Sequence, residues 1–223
     1  TSASEIMTIF CLAKSFTDLK ERLGNLLLGL TSDDKPILAR DLKLEGALTA
    51  LLKDAFLPNL VQTLEGTPAF IHGGPFANIA HGCSSVTSIK LALSLSDYVI
   101  TEAGFGADLG AEKFMNLFCN VSKEKPSAVV LVVTIRSILH HGNDDFKKGL
   151  SNIDAHLEHL SNYNIPIVVC CNHFNDDKDE YIDELRDYIE SKGYYFAVTD
   201  SYTEGGIGAI DLANKVKSLV NKE

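Results

Sequence analysis

The chain has 223 residues, of which 45% are hydrophobic and 22% are charged, and its formal net charge is −10. This length is sufficient for one or two domains with a hydrophobic core, and the composition excludes a disordered chain, a collagen and a coiled coil. Five cysteines are too few for a small disulfide-stapled module. The acidic balance argues against nucleic acid as a partner, because phosphate binding needs clustered Lys and Arg.

The apolar stretches are too short to cross a membrane. The longest, Ala128–Ile135, ends at Arg136, whereas a spanning helix needs about 20 apolar residues. The cysteines form no CxxC pair, so we expect buried free thiols in a reducing, cytoplasmic compartment. The chain begins with Thr1 rather than Met, inside a predicted helix and without a signal-peptide pattern. We therefore expect an excerpt of a longer protein.

The first 65 residues predict a mainly helical lead-in. Glu5–Leu28 and Leu42–Leu64 read as helices, and the polar turn Thr31–Pro36 separates them. From residue 66 onward, apolar runs rich in β-branched residues predict five strands. They are Pro68–His72, Tyr98–Thr101, Ala128–Thr134, Ile165–Cys171 and Tyr194–Thr199.

These five runs are apolar on both faces, which is typical of a parallel sheet covered by helices on both sides. Amphipathic segments of helical length alternate with them. The clear cases are Thr87–Leu95, Lys148–Asn162, Asp179–Lys192 and Ile207–Val220. The alternation predicts right-handed crossovers and a three-layer α/β fold, with residues 1–223 forming one domain or part of one.

Glycines and an aromatic residue follow the second predicted strand, in Gly104-Phe105-Gly106. In open α/β sheets, ligands bind outside the carboxyl ends of the strands. Glycines allow a backbone to approach a ligand closely, so Phe105 could cover a flat ligand ring. It could equally pack beneath its own loop. The spacing of Gly104, Gly106 and Gly110 is not a dinucleotide fingerprint, because no acidic residue ends a second strand about 20 positions further on.

A second glycine-rich turn, Gly205-Gly206-Ile207-Gly208, precedes the last predicted helix. Backbone N–H groups at a helix start can bind an anion or the polar edge of a base, although an ordinary turn has the same composition. Asn172, at the end of a predicted strand, is similar to the base-reading Asn of many nucleotide-binding α/β proteins.

Metal and nucleophile motifs are missing from the sequence. The histidines and the acidic stretch Asn175–Glu190 provide no set of three or four converging ligands, so we expect no metal site. No Ser-His-Asp or Cys-His arrangement has a supporting motif. The 223 residues also contain no Gly-x-x-x-x-Gly-Lys-Ser/Thr phosphate loop.

Two long motifs carry a family resemblance. Residues 62–82 (QTLEGTPAFIHGGPFANIAHG) and residues 101–114 (TEAGFGADLGAEKF) resemble the formate–tetrahydrofolate ligase family, as do residues 4–7 and 60–63. The resemblance implies a P-loop-NTPase-like α/β fold, incomplete in this chain. It implies ATP, with Mg, and tetrahydrofolate as substrates, neither held covalently. The family makes formyl phosphate from formate and ATP, and the N10 amine of tetrahydrofolate then attacks the formyl carbon.

The resemblance also implies roles for single residues. The folate contacts would be Phe105, Phe174 and Tyr202, the last of which stands where the family usually has Trp. The nucleotide contacts would be Asn172, Gly205, Gly206 and Gly208. Apart from the resemblance, the candidates for residues that support such contacts without touching a substrate are His72, His81, Glu102, Asp108 and Lys113. No catalytic residue is assigned.

Several positions depart from the family pattern. Within the motif Arg136–Asn143, Leu139 replaces a Lys and Asn143 replaces a Gly, and Asn175 replaces a Pro after Phe174. The family's phosphate loop, and the basic turn that follows it, lie upstream of Ser4, so we expect the chain alone not to catalyse ligation. The alternative is a non-catalytic folate- or nucleotide-binding protein, or a structural remnant of the family. Because an incomplete sheet exposes an edge, we expect a homo-oligomer or a marginally stable chain.

Overall fold

The computed structural model describes residues 4–74 and 81–220 of the chain. Residues 75–80, which form part of the motif at 62–82, lie outside the described residues. Two units are distinguished by their internal contacts: unit 1 is Thr1–Glu124 and unit 2 is Lys125–Glu223.

Unit 1 combines short helices with two β-hairpins. Its helices are α1 Glu5–Leu12, α2 Phe16–Gly24, α3 Glu45–Leu51, α4 Val86–Leu95 and α5 Cys119–Ser122, and its strands are β1 Leu27–Leu30, β2 Pro36–Leu38, β3 Asn59–Gln62 and β4 Pro68–Ile71. Three helices begin at a serine N-cap, whose hydroxyl oxygen accepts the backbone N–H of the residue three positions further along the chain. The caps are Ser4, Ser15 and Ser85.

Two predicted helices are wrong in part. Glu5–Leu28 is broken between Ala13 and Ser15, where the second cap starts α2, and its last residues enter β1. Leu42–Leu64 contains α3 but then becomes β3, which pairs antiparallel with β4. The turn between these strands is closed by backbone hydrogen bonds, with Gly66 at φ 84°. The tertiary pairing overrides the helical spacing of the leucines.

The predicted strands of unit 1 do not join a parallel sheet. Pro68–His72 is a strand, yet its partner is the antiparallel β3. Tyr98–Thr101 is not a strand: it pairs with no strand among the described residues, and Ile100 is 97% exposed. After this segment the chain forms two π-helical segments, Gly106–Ala111 and Phe114–Phe118. Wide helical turns of this kind are rare and frequently lie at functional sites.

Unit 2 has the predicted α/β organisation. Its strands are β5 Val129–Val133, β6 Ile167–Asn172 and β7 Tyr195–Thr199, and its helices are α6 Ile135–Gly142, α7 Phe146–Ser161, α8 Asp179–Ser191, α9 Ser201–Glu204 and α10 Ile210–Val220. The strands are parallel in the order β5-β6-β7, with helices on both sides of the sheet. This confirms the α/β fold class with a parallel sheet.

The core of unit 2 lies around the central strand. All five residues of Ile167–Cys171 are buried, as the apolar run predicts. Helix α7 buries Leu150, Ile153, Leu157 and Leu160, at the helical spacing seen in the sequence. Within the described residues, no helix is both long enough and apolar enough to span a membrane.

Candidate functional site

The carboxyl ends of β6 and β7 form the candidate site of unit 2. In the sheet register, Asn172 lies opposite Thr199, and the next backbone N–H, that of His173, donates to the carbonyl of Thr199 over 3.1 Å. Asn172 and the segments carrying Phe174 and Tyr202 therefore leave the sheet at the same edge. This is the position at which open α/β sheets bind ligands.

Phe174 is half-buried, and Arg136 covers one face of its ring. The guanidinium carbon of Arg136 lies 4.2 Å from the ring centroid. Asp176 holds the same guanidinium at 2.5 Å from Nη2, and this hydrogen bond lowers the pKa of the Asp176 carboxyl. A cation above an aromatic face is attracted by the ring quadrupole. One face of Phe174 is therefore occupied by a side chain that is itself held in place.

Tyr202 lies on the short helix α9 and is 95% exposed. Ile207, in the turn that follows, is 74% exposed. Neither side chain belongs to a core. An exposed aromatic ring at a sheet edge is available for stacking against a flat ligand.

The glycine-rich turn is a 3-10 segment, Gly205–Ala209, and α10 begins only at Ile210. The predicted helix start at Ile207 is thus three residues too early. The carbonyl of Gly208 accepts the backbone N–H of Asp200 over 3.0 Å. A Cβ at Gly208 would lie 2.6 Å from the backbone carbon of Asp200, so the turn approaches the end of β7 too closely for any other residue.

One pair at this edge was missed by the sequence analysis. His173 Nδ1 lies 2.5 Å from Asp200 Oδ1, and the two side chains are 24% and 37% exposed. The signal was present, because a His follows one strand and an Asp follows the next. It could be used only once the register of β6 and β7 was known.

The altered motif Arg136–Asn143 forms a well-capped helix, α6. Thr134 and Ser137 cap its start reciprocally. Asn143 ends it in the left-handed conformation, with φ 53°, which Asn tolerates better than most residues. The replacement of Gly by Asn is thus compatible with the backbone, and Leu139 is half-buried on the same helix.

In unit 1, Phe105 is 70% exposed, so it does not pack beneath its loop. The glycines on both sides have positive φ, 88° at Gly104 and 74° at Gly106. A Cβ at Gly110 would lie 2.6 Å from the carbonyl oxygen of Ala103. The glycines therefore serve a tight contact between loop and π-helix that leaves the Phe105 ring outside.

His81 is fully buried and stacks on Phe118, with the ring centroids 6.2 Å apart. Burial, together with the charge of Lys113, lowers the pKa of His81 to about 4. Neither ring nitrogen has a hydrogen-bond partner among the described residues. His81 is therefore a neutral side chain at pH 7.

The other four supporting candidates have different surroundings, and one of them, Lys113, is half-buried. His72 is buried in a separate network, in which Nδ1 meets Ser85 Oγ at 2.5 Å and Nε2 meets the Ala55 carbonyl at 3.0 Å. Burial lowers its pKa as well. Glu102 and Asp108 are exposed.

The two cysteines of β6 offer no nucleophile. All five are free and buried, and burial raises the pKa of Cys170 to about 11 and that of Cys171 to about 12. The thiolate is the reactive form, so these thiols are inert near neutral pH. In residues 4–74 and 81–220, no group of three or more His, Cys, Asp or Glu side chains could hold a metal ion.

Comparison with known proteins agrees with the motifs. The family model for formate–tetrahydrofolate ligase matches residues 1–223. A curated formate–tetrahydrofolate ligase from Phocaeicola vulgatus is 49% identical over 234 residues, covering 100% of this chain and 42% of the relative. The chain thus spans less than half of that relative's length. The match along the whole sequence shows that the chain belongs to the formate–tetrahydrofolate ligase family.

Proposed function

We propose that this chain holds the folate substrate, and part of the nucleotide, of an ATP-dependent formate–tetrahydrofolate ligase. The observation that carries the proposal is the pair of accessible aromatic rings at the carboxyl edge of the parallel sheet. Tyr202 is almost fully exposed, and Phe174 has one face covered by Arg136. Aromatic rings that are exposed together at one end of a sheet offer a stacking surface to a flat ligand.

Phe174 is suited to a flat ring system such as a pterin. Arg136 covers one face of the phenyl ring, so a ligand would stack on the other face. Tyr202, in place of the usual Trp, provides a second stacking surface. In unit 1, Phe105 is proposed as a further folate contact, since the family motif assigns it and its ring is exposed.

The nucleotide is proposed to contact Asn172 and the glycine turn. Gly208 brings the turn against the end of β7, where Asn172 ends the neighbouring strand. The glycines of this turn would let a nucleotide approach the backbone closely. Mg²⁺ usually enters such sites with the nucleotide phosphates.

The reaction proposed for the whole protein is formate activation by ATP to formyl phosphate, followed by transfer of the formyl group to tetrahydrofolate. Phosphoryl transfer depends on residues that position and neutralise the phosphates, and no phosphate-loop motif occurs in these 223 residues. We therefore propose that the chain alone binds substrate but does not ligate. A non-catalytic binding protein would also bind folate, and only an assay of ATP-dependent formylation by the longer protein separates the two.

Phe174→Ala is expected to weaken tetrahydrofolate binding about tenfold, since the lost stacking and burial amount to roughly 1–2 kcal/mol. Isothermal titration calorimetry of the 223-residue chain under anaerobic conditions measures this. The matched control is Tyr194→Ala, a half-buried aromatic residue just before β7, at the opposite end of that strand. Its affinity should stay within twofold of the parent.

Two outcomes would contradict the proposal in different ways. Absence of binding heat with the parent chain removes the folate assignment. Equal affinities of Phe174→Ala and the parent place the folate away from this sheet edge.

We also propose that the isolated chain self-associates. Both hairpins of unit 1 expose leucines, among them Leu27, Leu30 and Leu60 at 53%, 58% and 62%, and β5 exposes Val132 at 60% on an edge strand. Exposed apolar edges promote association. Sedimentation velocity at increasing concentration should show species larger than 24.3 kDa. A stable monomer at all concentrations would contradict this expectation.

A further inference from the structure

Asp200 departs from the usual behaviour of an N-cap residue. It precedes α9, where an Asp side chain ordinarily accepts a backbone N–H from the first turn. Its side chain makes no capping bond. The carboxylate instead meets His173 Nδ1 at 2.5 Å. Because a carboxylate oxygen can only accept, Nδ1 carries the hydrogen and donates it.

The backbone of Asp200 joins the remaining parts of the same edge. Its carbonyl accepts the backbone N–H groups of Thr203 and Glu204 at 3.0 and 2.9 Å, which starts the helix that carries Tyr202. Its N–H donates to the carbonyl of Gly208. Asp200 is thus bonded to α9, which carries Tyr202, and to the glycine turn. Through its carboxylate it is also bonded to His173, the residue before Phe174.

The carboxylate bond is the only one of these links that a side-chain substitution can remove. The backbone bonds of Asp200 join α9 and the glycine turn to Asp200 itself, so these two segments move together with Asp200. The His173–Asp200 bond crosses from β7 to β6, where the chain turns towards Phe174. A charge-assisted hydrogen bond is stronger than a neutral one, and the pair is more than half sheltered from solvent.

We propose that His173 and Asp200 are positioning residues that fix the spacing between the Phe174 and Tyr202 rings. The inference rests on the proposed function, since it assigns this pair to the folate site. A pterin that stacks on both rings requires them at a set separation. Without the bond, the two loops must be ordered when the ligand binds, which weakens binding.

The test uses a background that carries Tyr202→Trp. The sequence contains no Trp, so this substitution introduces a single fluorophore at the site, of the residue type usual in the family. Steady-state anisotropy of that Trp in the ligand-free chain reports the mobility of α9. Calorimetry with tetrahydrofolate reports the affinity.

Asp200→Ala and His173→Phe should each lower the Trp anisotropy and weaken tetrahydrofolate binding about fivefold to tenfold, the effect expected from a lost charge-assisted bond in a partly sheltered site. Asp200→Asn keeps an acceptor for Nδ1–H and should recover most of both losses. A merely electrostatic role would not be rescued by this neutral side chain.

The matched control in this background is Tyr188→Phe. It removes the 2.6 Å hydrogen bond from Tyr188 to Asp154, which joins α8 to α7 in the same unit. Anisotropy and affinity should stay within twofold of the background chain. Urea unfolding of every variant confirms that the fold is retained.

Unchanged anisotropy together with unchanged affinity in Asp200→Ala would overturn the proposal. Failure of the proposed function is seen separately, as absence of tetrahydrofolate binding in the background chain and in the parent. In that case the ligand-free anisotropy alone decides whether the pair positions α9.

Discussion

Gly149→Ala is expected to lower the stability of unit 2 by about 3 kcal/mol, at the upper end of overpacking effects. A Cβ at Gly149 in α7 would lie 1.9 Å from the backbone carbonyl oxygen of Ile138 in α6. A side chain could rotate away from the added methyl group, whereas a helix carbonyl cannot. In urea, with a slope of about 2 kcal/mol/M, the unfolding midpoint should fall by about 1–2 M.

Hydrogen exchange of the β6 amides localises this loss to unit 2, because β6 is the buried central strand of its sheet. The control is Gly46→Ala in α3, where an added Cβ meets nothing within 4 Å. That variant should be stabilised by up to about 1 kcal/mol, since Ala is the better helix former. A Gly149→Ala midpoint equal to that of the parent would show that the two helices separate without cost.

Acidification from pH 7 to pH 5 should remove about 2 kcal/mol of stability through His81 alone. Burial lowers the pKa of His81 to about 4 in the folded chain, while the unfolded side chain titrates near 6.5. Between these values the unfolded state binds a proton that the folded state does not. The stability that neutral His81 contributes to the folded chain is therefore fully present above pH 6.5, and it is lost as the pH falls towards 4.

Urea unfolding at both pH values, compared between the parent and His81→Leu, isolates this effect. The variant should lose less stability on acidification, although His72, whose pKa is also lowered, still contributes. His141→Asn, at an exposed position, should retain the full pH dependence of the parent. If His81→Leu is too unstable to study, the NMR shift of the His81 ring in the parent decides. A midpoint near pH 6.5 would contradict the buried neutral state.

The parallel sheet could be predicted because its signal is local. Because Ile167–Cys171 is buried on both faces of the sheet, all of its residues are apolar. A strand or helix with one exposed face would have polar residues on that face. The amphipathic helix α7 has an equally direct signature, with buried leucines at helical spacing. The limits of these elements differ from the predicted ones by at most two residues.

The hairpins of unit 1 could not be predicted in the same way. Leu60 and Val61 continue a leucine-rich pattern that suits a helix, but β3 forms because β4 lies opposite it. Tyr98–Thr101 shows the reverse error: its residues favour a strand, yet within residues 4–74 and 81–220 no strand pairs with it. Pairing depends on segments that local sequence does not specify.

The sequence predicts which residue types lie at the candidate site, but not the contacts between them. The family motifs predict Phe174, Tyr202 and the glycine turn as ligand contacts, and the sheet register brings these segments to one edge of unit 2. The cation–π contact between Arg136 and Phe174 joins residues that are 38 positions apart in the sequence. The hydrogen bond between His173 and Asp200 joins residues that are 27 positions apart. Contacts at such separation follow from the fold and not from spacing.

The division into two units has a consequence for synthesis of the chain. Each unit is one uninterrupted stretch, with the boundary between Glu124 and Lys125. Domains that are continuous in sequence fold as units while translation proceeds, the amino-terminal one first. All of Thr1–Glu124 has left the ribosome before β5, β6 or β7 has been made. Its exposed hairpin leucines are therefore available to chaperones while β5 to β7 are still being made.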